Sequence, residues 1–157
     1  MEFVLERAQW FPRPVAEVFA YFSDPGNLND LTPPSLHFRI VTPRPVAMEA
    51  GALIDYRLRL HGFPLRWRTR ISHYEPPHRF VDEQVRGPYA LWVHTHTFAP
   101  ELVEGAPGTR MTDCVRYALP RWSPGVVSRL VHKAFIAPDL DRIFEYRREV
   151  LERRFGR

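Results

Sequence analysis

Cysteine is almost missing from this chain, since Cys114 stands alone among 157 residues. One thiol excludes an intramolecular disulfide framework and any cysteine-based metal centre, and it fits a reducing compartment. Lysine is equally scarce. Lys133 is the single example, so a net charge of +4 and a pI near 9.6 come almost wholly from arginine. Arginine predominance follows genomic base composition as readily as phosphate recognition, so no nucleic-acid partner is expected from it. The turns are too poor in glycine for a phosphate-cradling loop, and no Ser-His-Asp arrangement or spaced carboxylate dyad is recognisable. The opening MEFVLERAQW carries acids early and has no uninterrupted apolar run. Neither a signal peptide nor a membrane span is expected, and a cytoplasmic location follows.

What the chain does have is a composition for one large apolar interior: 45% hydrophobic, 13% aromatic and 25% charged residues. That length and balance suit one domain over 1–157. Glu2 to Phe11 reads as a strand stopped by Pro12 and Pro14. Val15, Val18, Phe19 and Phe22 then recur at helical spacing, and Asn27 to Leu31 offers a second, short helix that Thr32-Pro33-Pro34 ends. From Leu36 the period changes to 2. Strands are expected over Leu36 to Val41, Ala52 to Leu60, Phe63 to Tyr74, Arg79 to Arg86, the stretch within Gly87 to Pro100, and Thr109 to Pro120, with a polar loop over Glu101 to Gly108. Six consecutive strands on short turns imply an antiparallel meander.

The tail is the one long helix. Val127, Leu130, Val131, Ala134, Ala137, Leu140, Phe144, Arg147, Leu151 and Phe155 step at three or four residues, and Pro138 should kink or split the helix at Ala137. An α+β order follows: a curved antiparallel sheet of about seven strands wrapped around a long C-terminal helix, with one or two short helices after the first strand. Such a sheet closed by one helix leaves concave apolar space, where ligands bind.

Two features stand out. Arg66, Arg68 and Arg70 alternate with Leu65, Trp67, Thr69 and Ile71, with Arg57 and Arg59 on the preceding strand. The stripe reads as a solvated face whose stems cover the sheet, or as a surface for an acidic partner. Rings are missing from that face, which argues against base stacking. The second feature is Trp92, His94, His96 and Phe98, which alternate onto one strand face. Leu91, Val93, Thr95 and Thr97, on the other face, compete for the inward position. If the histidines point inward they need partners. An antiparallel register sets Asp113 opposite His96 and Asp82 near His94. A carboxylate beside a histidine fixes its tautomer and prepares a general base. Three uses are open: a satisfied polar layer that fixes register, groups that orient a ligand, or a site of catalysis with His94, His96 and Asp113 as candidates. A His, His, carboxylate set could also hold a metal. The expectation taken is no metal and no cofactor.

The order of elements, the opening FPRPVAEVFAYFSDPGNLNDLTPP, the central EPPHRFVDEQVRGPYALWVHTHTF and the helical tail resemble the START-like superfamily, also called SRPBCC, which has the helix-grip fold of the birch-pollen allergen. More narrowly, the chain is similar to bacterial single-domain members. That superfamily includes lipid carriers, polyketide aromatase/cyclases, hormone receptors and hydroxylase domains. The resemblance implies binding of a hydrophobic or aromatic small molecule, such as a lipid, polyketide or isoprenoid-like compound, between sheet and helix. Tyr56, Leu58, Trp67, Thr69, Trp92, His94, His96, Phe98, Val115, Tyr117, Leu130 and Ala134 are the expected ligand-binding residues, and Val126 to Ala137 is the expected lid. Alternatives are a cyclase/dehydratase using a His-Asp pair in that cavity, and an interaction module using the arginine face. The protein would be a monomer or a homodimer.

Overall fold

The computed structural model describes residues 1–121 and 125–157. Strand β1 (Glu2–Phe11) leads into helix α1 (Val15–Phe22), which starts beside Pro14 and buries Val18, Phe19, Tyr21 and Phe22. Six strands follow: β2 (Arg39–Ile40), β3 (Leu53–Leu60), β4 (Phe63–Glu75), β5 (Arg79–Arg86), β6 (Leu91–Val103) and β7 (Ala106–Ala118). They form a seven-stranded antiparallel sheet in the order β1-β7-β6-β5-β4-β3-β2. The meander is thus continuous from β2 to β7, and β1 closes on its far side. Helices α2 (Gly125–Val131) and α3 (Ala137–Phe155) make the long C-terminal helix that the sheet curves around, a helix-grip fold.

Several boundaries differ from expectation. The strand expected over Leu36 to Val41 shrinks to Arg39–Ile40, because a 3-10 turn over Pro34–Leu36 ends in His37 at φ 47° and delays the chain's arrival at the sheet. The short helix expected over Asn27 to Leu31 is a 3-10 turn over Pro25–Leu28, started by the Asp24 carboxylate accepting from the Gly26 N–H. No polar loop spans Glu101 to Gly108. The β6 and β7 ladder continues through Leu102↔Pro107 and Val103↔Ala106 to a two-residue turn at Glu104 (φ 49°) and Gly105 (φ 80°). Paired positive φ values match the right-handed twist of a hairpin. The prolines are tolerated because this arm projects beyond β1 and β5 and has free edges.

Pro138 interrupts the tail in an unexpected way. Instead of breaking, the chain makes a π turn over His132–Ile136 and continues into α3 with Pro138 in the first turn. A widened turn accommodates the missing N–H, and helical structure runs on through it. The expected apolar stripe is buried only from Leu140 onward, through Phe144, Arg147, Leu151 and Phe155. Val126, Val127, Leu130 and Phe135 are exposed.

The interior is filled unevenly. One cluster packs α1 and the end of α3 against β6 and β7 through Phe11, Phe19, Phe22, Phe98, Met111 and Leu151. A second packs Leu140 and Phe144 on Val115 and Tyr117. Above β3, β4 and β5 the helix stands off the sheet, and a cavity remains.

Candidate functional site

The cavity has a volume of about 220 Å³, and its walls come from the concave faces of β3 to β6, the first half of α3, the end of α1 and the segment from Asp24 to Phe38. Strand alternation puts Ile54, Tyr56, Leu58 and Leu60 of β3 inward, and Leu65, Trp67, Thr69 and Ile71 of β4 beside them. Three rings line one end. Trp67 stands edge-on to Trp92 at 5.4 Å between centroids, and Tyr89 lies 4.8 Å from Trp92. Tyr56 and Thr69 share a hydrogen bond of 2.9 Å between their hydroxyls, and Trp67 Nε1 donates to the same Thr69 oxygen at 3.2 Å. Burial pushes the Tyr56 phenol well above its ordinary pKa, so it stays neutral.

The other end of the cavity is polar and buried. His94 and His96 project inward from β6, leaving Leu91, Val93, Thr95 and Thr97 on the other face. The backbone register is the expected one, with Asp82 opposite His94 and Asp113 opposite His96. The side chains cross that register. His94 Nε2 lies 2.8 Å from Asp113 Oδ1, and His96 Nε2 lies 2.7 Å from Asp82 Oδ2. The imidazoles lie 3.8 Å apart between centroids, and Phe80 stacks on the outer face of His96 at 4.1 Å. Arg147 reaches down from α3, its Nη2 donating to Asp113 Oδ1 at 3.1 Å while its guanidinium sits over the Phe22 ring. His96 Nδ1 is 3.0 Å from Asp113 Oδ1 but is misaligned for a hydrogen bond.

Burial and charge split the two histidines. For His94, burial and the neighbouring His96 push the pKa down, outweighing the carboxylates. For His96, burial also pushes down, but the carboxylates of Asp113 and Asp82 beside it prevail and the pKa rises. Burial opposes ionisation of both carboxylates, yet both stay below the ordinary range. Arg147 and the histidines hold Asp113 down, and the histidines, with Arg147, hold Asp82 down. The shifts thus favour charged Asp82 and Asp113 beside Arg147, and they favour the proton on His96 over His94. The His94 proton belongs on Nε2, facing Asp113, which leaves Nδ1 as a lone pair 3.8 Å from Asp82.

Of the expected binding residues, Tyr56, Leu58, Trp67, Thr69, Trp92, His94 and His96 line the cavity. Phe98, Val115 and Tyr117 are on the inward face as expected, but packed helices cover them and they belong to the core clusters. Leu130 and Ala134 are exposed and do not line the cavity; Leu130 precedes the π turn and Ala134 lies within it. Asp82 and Arg147 belong to the site although neither was among the expected binding residues. Asp82 was legible as the inward neighbour of His94. Arg147 carried a signal of its own, a charge in the middle of an otherwise apolar helical stripe. On the convex face, Arg68 makes a two-point contact with Asp55 at 2.8 and 3.0 Å, and Arg70 pairs with Glu83 at 2.9 Å.

A family model described as polyketide cyclase / dehydrase and lipid transport matches residues 3–155. No curated protein matches the chain. Among solved structures, TTHA0849 from Thermus thermophilus is similar with a TM-score of 0.68 at 16% identity, covering 94% of this chain and 95% of that one. The Zhui aromatase/cyclase from Streptomyces sp. R1128 is similar with a TM-score of 0.68 at 12% identity, covering 98% and 96%. A point mutant of norcoclaurine synthase from Thalictrum flavum, in complex with a transition-state analogue, is similar with a TM-score of 0.64 at 15% identity, covering 98% and 97%. At these identities the likeness is one of fold. Among the described residues no helix is long and apolar enough to cross a membrane.

Proposed function

Because the chain belongs to the polyketide cyclase / dehydrase and lipid transport family, we propose that its cavity binds a compact hydrophobic or aromatic molecule carrying one polar oxygen. The observation behind this reading is the two-ended cavity. Aromatic and aliphatic walls on β3, β4 and β6 face the polar groups of Asp82, His94, His96 and Arg147, with buried Asp113 behind them. Size narrows the occupant. A dry cavity of ~150 Å³ holds benzene, so about 220 Å³ suits a two-ring compound or a short branched chain better than a whole two-tailed lipid. Affinity would come from apolar burial, at ~25 cal/mol per Å² before ordering costs. Orientation would come from His94 Nδ1 and from Arg147 Nε, which is buried without a hydrogen-bond partner among the described residues. The segment from Val126 to Ala137 serves as the lid, with the π turn beside Pro138 as its hinge.

A second reading is favoured by one observation, the opposed pKa shifts of two adjacent histidines. Groups pushed apart in this way are suited to divide acid and base work. His94 Nδ1 would take an α-proton from a bound carbonyl compound, the electron pair would move to the carbonyl oxygen, and His96 would protonate that oxygen. This is chemistry of the cyclase/dehydratase kind.

The test is solvent extraction of the purified protein with mass spectrometry, followed by displacement of an environment-sensitive dye by one-, two- and three-ring phenols and ketones. The expected result is strongest displacement by the two-ring members. Displacement by none, with nothing extracted, overturns the binding reading.

A further inference from the structure

We infer that Asp82 Oδ2, His94 Nδ1 and His96 Nε2 form a binding site for one divalent cation of the zinc class, open to the cavity on its remaining side. One ligand atom from each of the three residues lies within 4.8 Å of the others, and all three residues line the cavity wall. Two imidazoles and one carboxylate suit zinc and the neighbouring transition ions, while magnesium and calcium prefer oxygen alone. Tetrahedral zinc with bonds of ~2.1 Å separates its ligand atoms by about 3.4 Å. The present separations bracket that value, at 2.7 Å from Asp82 Oδ2 to His96 Nε2 and 3.8 Å to His94 Nδ1. Small rotations of Asp82 and His96 would equalise them. Binding displaces the proton shared between His96 Nε2 and Asp82, and it uses the His94 lone pair already free.

The second observation is the support behind the rings. A metal-ligating histidine almost always donates its other N–H to a carboxylate or carbonyl. Here one carboxylate oxygen serves both rings: Asp113 Oδ1 lies 2.8 Å from His94 Nε2 and 3.0 Å from His96 Nδ1. His96 Nδ1 has no aligned partner among the described residues, so a rotation that carries Nε2 toward a cation can bring Nδ1 into line. Asp113 is itself unsuited as a ligand. Arg147 holds the same oxygen, and Asp113 is absent from the cavity wall. Once His96 has given up that proton, two carboxylates and one guanidinium leave one net negative charge around two neutral imidazoles, which a divalent ion offsets. The open side of the ion faces the molecule proposed above. Only the identity of that outer occupant rests on the binding reading.

The test uses metal-stripped full-length protein, shown by circular dichroism to be folded. It is titrated with zinc chloride alone by calorimetry and with cobalt(II) by visible absorption. The expected result is one ion per chain, with the intensified visible bands of four- or five-coordinate cobalt. D82N and H94F should lose binding by more than the ~10- to 100-fold expected of D113N, which alters only the support. H73Q, outside the cluster and the lid, should bind as wild type does. Should D82N or H94F fail to fold, X-ray absorption on zinc-loaded wild type replaces them, with two imidazoles and one carboxylate expected. Absence of saturable zinc binding by folded wild type overturns the proposal, as does zinc bound without imidazole or with equal affinity in D82N. No organic ligand is present, so such a failure leaves the binding reading standing.

Discussion

Arg147 Nη2 lies 3.1 Å from Asp113 Oδ1, a contact that ties the middle of α3 to the centre of the sheet across 34 residues. Both side chains are buried, at 9% and 6% exposure. Removing one partner of a buried pair leaves the other charge uncompensated and costs about 3–5 kcal/mol. R147M should therefore lower the urea-unfolding free energy by about that amount. The double variant R147M/D113N should recover part of the loss, and strict additivity in this cycle would refute the coupling.

Acid should unfold the protein through the same cluster. Burial opposes the charges on Asp113 and Asp82, but Arg147 and the histidines prevail and hold both carboxyls below their ordinary range. A depressed carboxyl pKa contributes stability that is present above the unfolded value, about 4, and is lost as pH falls through the folded value. Melting temperatures measured between about pH 2 and 6 should fall steeply toward acid in wild type. D113N should have a lower plateau and a shallower fall. An identical slope in both proteins would place the acid sensitivity elsewhere.

The lid hinge should loosen at mildly acidic pH. His132, in the π turn, stacks on Phe3 at 3.6 Å and shares a hydrogen bond of 2.7 Å with the Tyr117 hydroxyl. Burial lowers its pKa. The neutral ring is therefore favoured in the fold, and its contribution is present above about pH 6.5, the unfolded value, and lost as pH falls through the folded one. Protection factors for amide exchange in α2, corrected for the intrinsic slowing of exchange toward acid, should fall on acidification in wild type. H132Q should show no such step, and a step that survives the substitution would contradict the assignment.

Filling the cavity should block binding without weakening the fold. Leu58 is half-buried on the β3 wall. L58W should reduce dye affinity by at least about tenfold, or 1.4 kcal/mol, with little change in melting temperature. Undiminished binding would mean that the dye sits outside this cavity.

Much of the fold was legible because strand alternation and turn residues are local signals. Ile54, Tyr56, Leu58 and Leu60 announced the inward face of β3, and the meander followed from the spacing of turns. The Asp82 and Asp113 registers could also be constructed by counting residues. What counting does not give is the reach of a side chain. His94 bonds to Asp113 and His96 to Asp82, diagonal to the backbone pairing, because rings projecting from the strand lean toward neighbours one step along. Leu130 and Ala134 stand off the cavity wall, where a stepped apolar pattern assumes an unbroken 3.6-residue turn and the π turn shifts the phase. Arg147 was counted with the apolar stripe, where its position was right and its charge was the information.

The central claim is that an apolar cavity holds its occupant by a polar anchor on β6 and α3. It is tested most directly by calorimetric titration of wild type with a matched pair, a two-ring phenol and the hydrocarbon of the same shape. One site per chain is expected, with an affinity for the phenol at least about tenfold the greater, a difference of 1.4 kcal/mol, that disappears in H94F. Equal affinities for the two compounds, or a preference that H94F leaves intact, would contradict it.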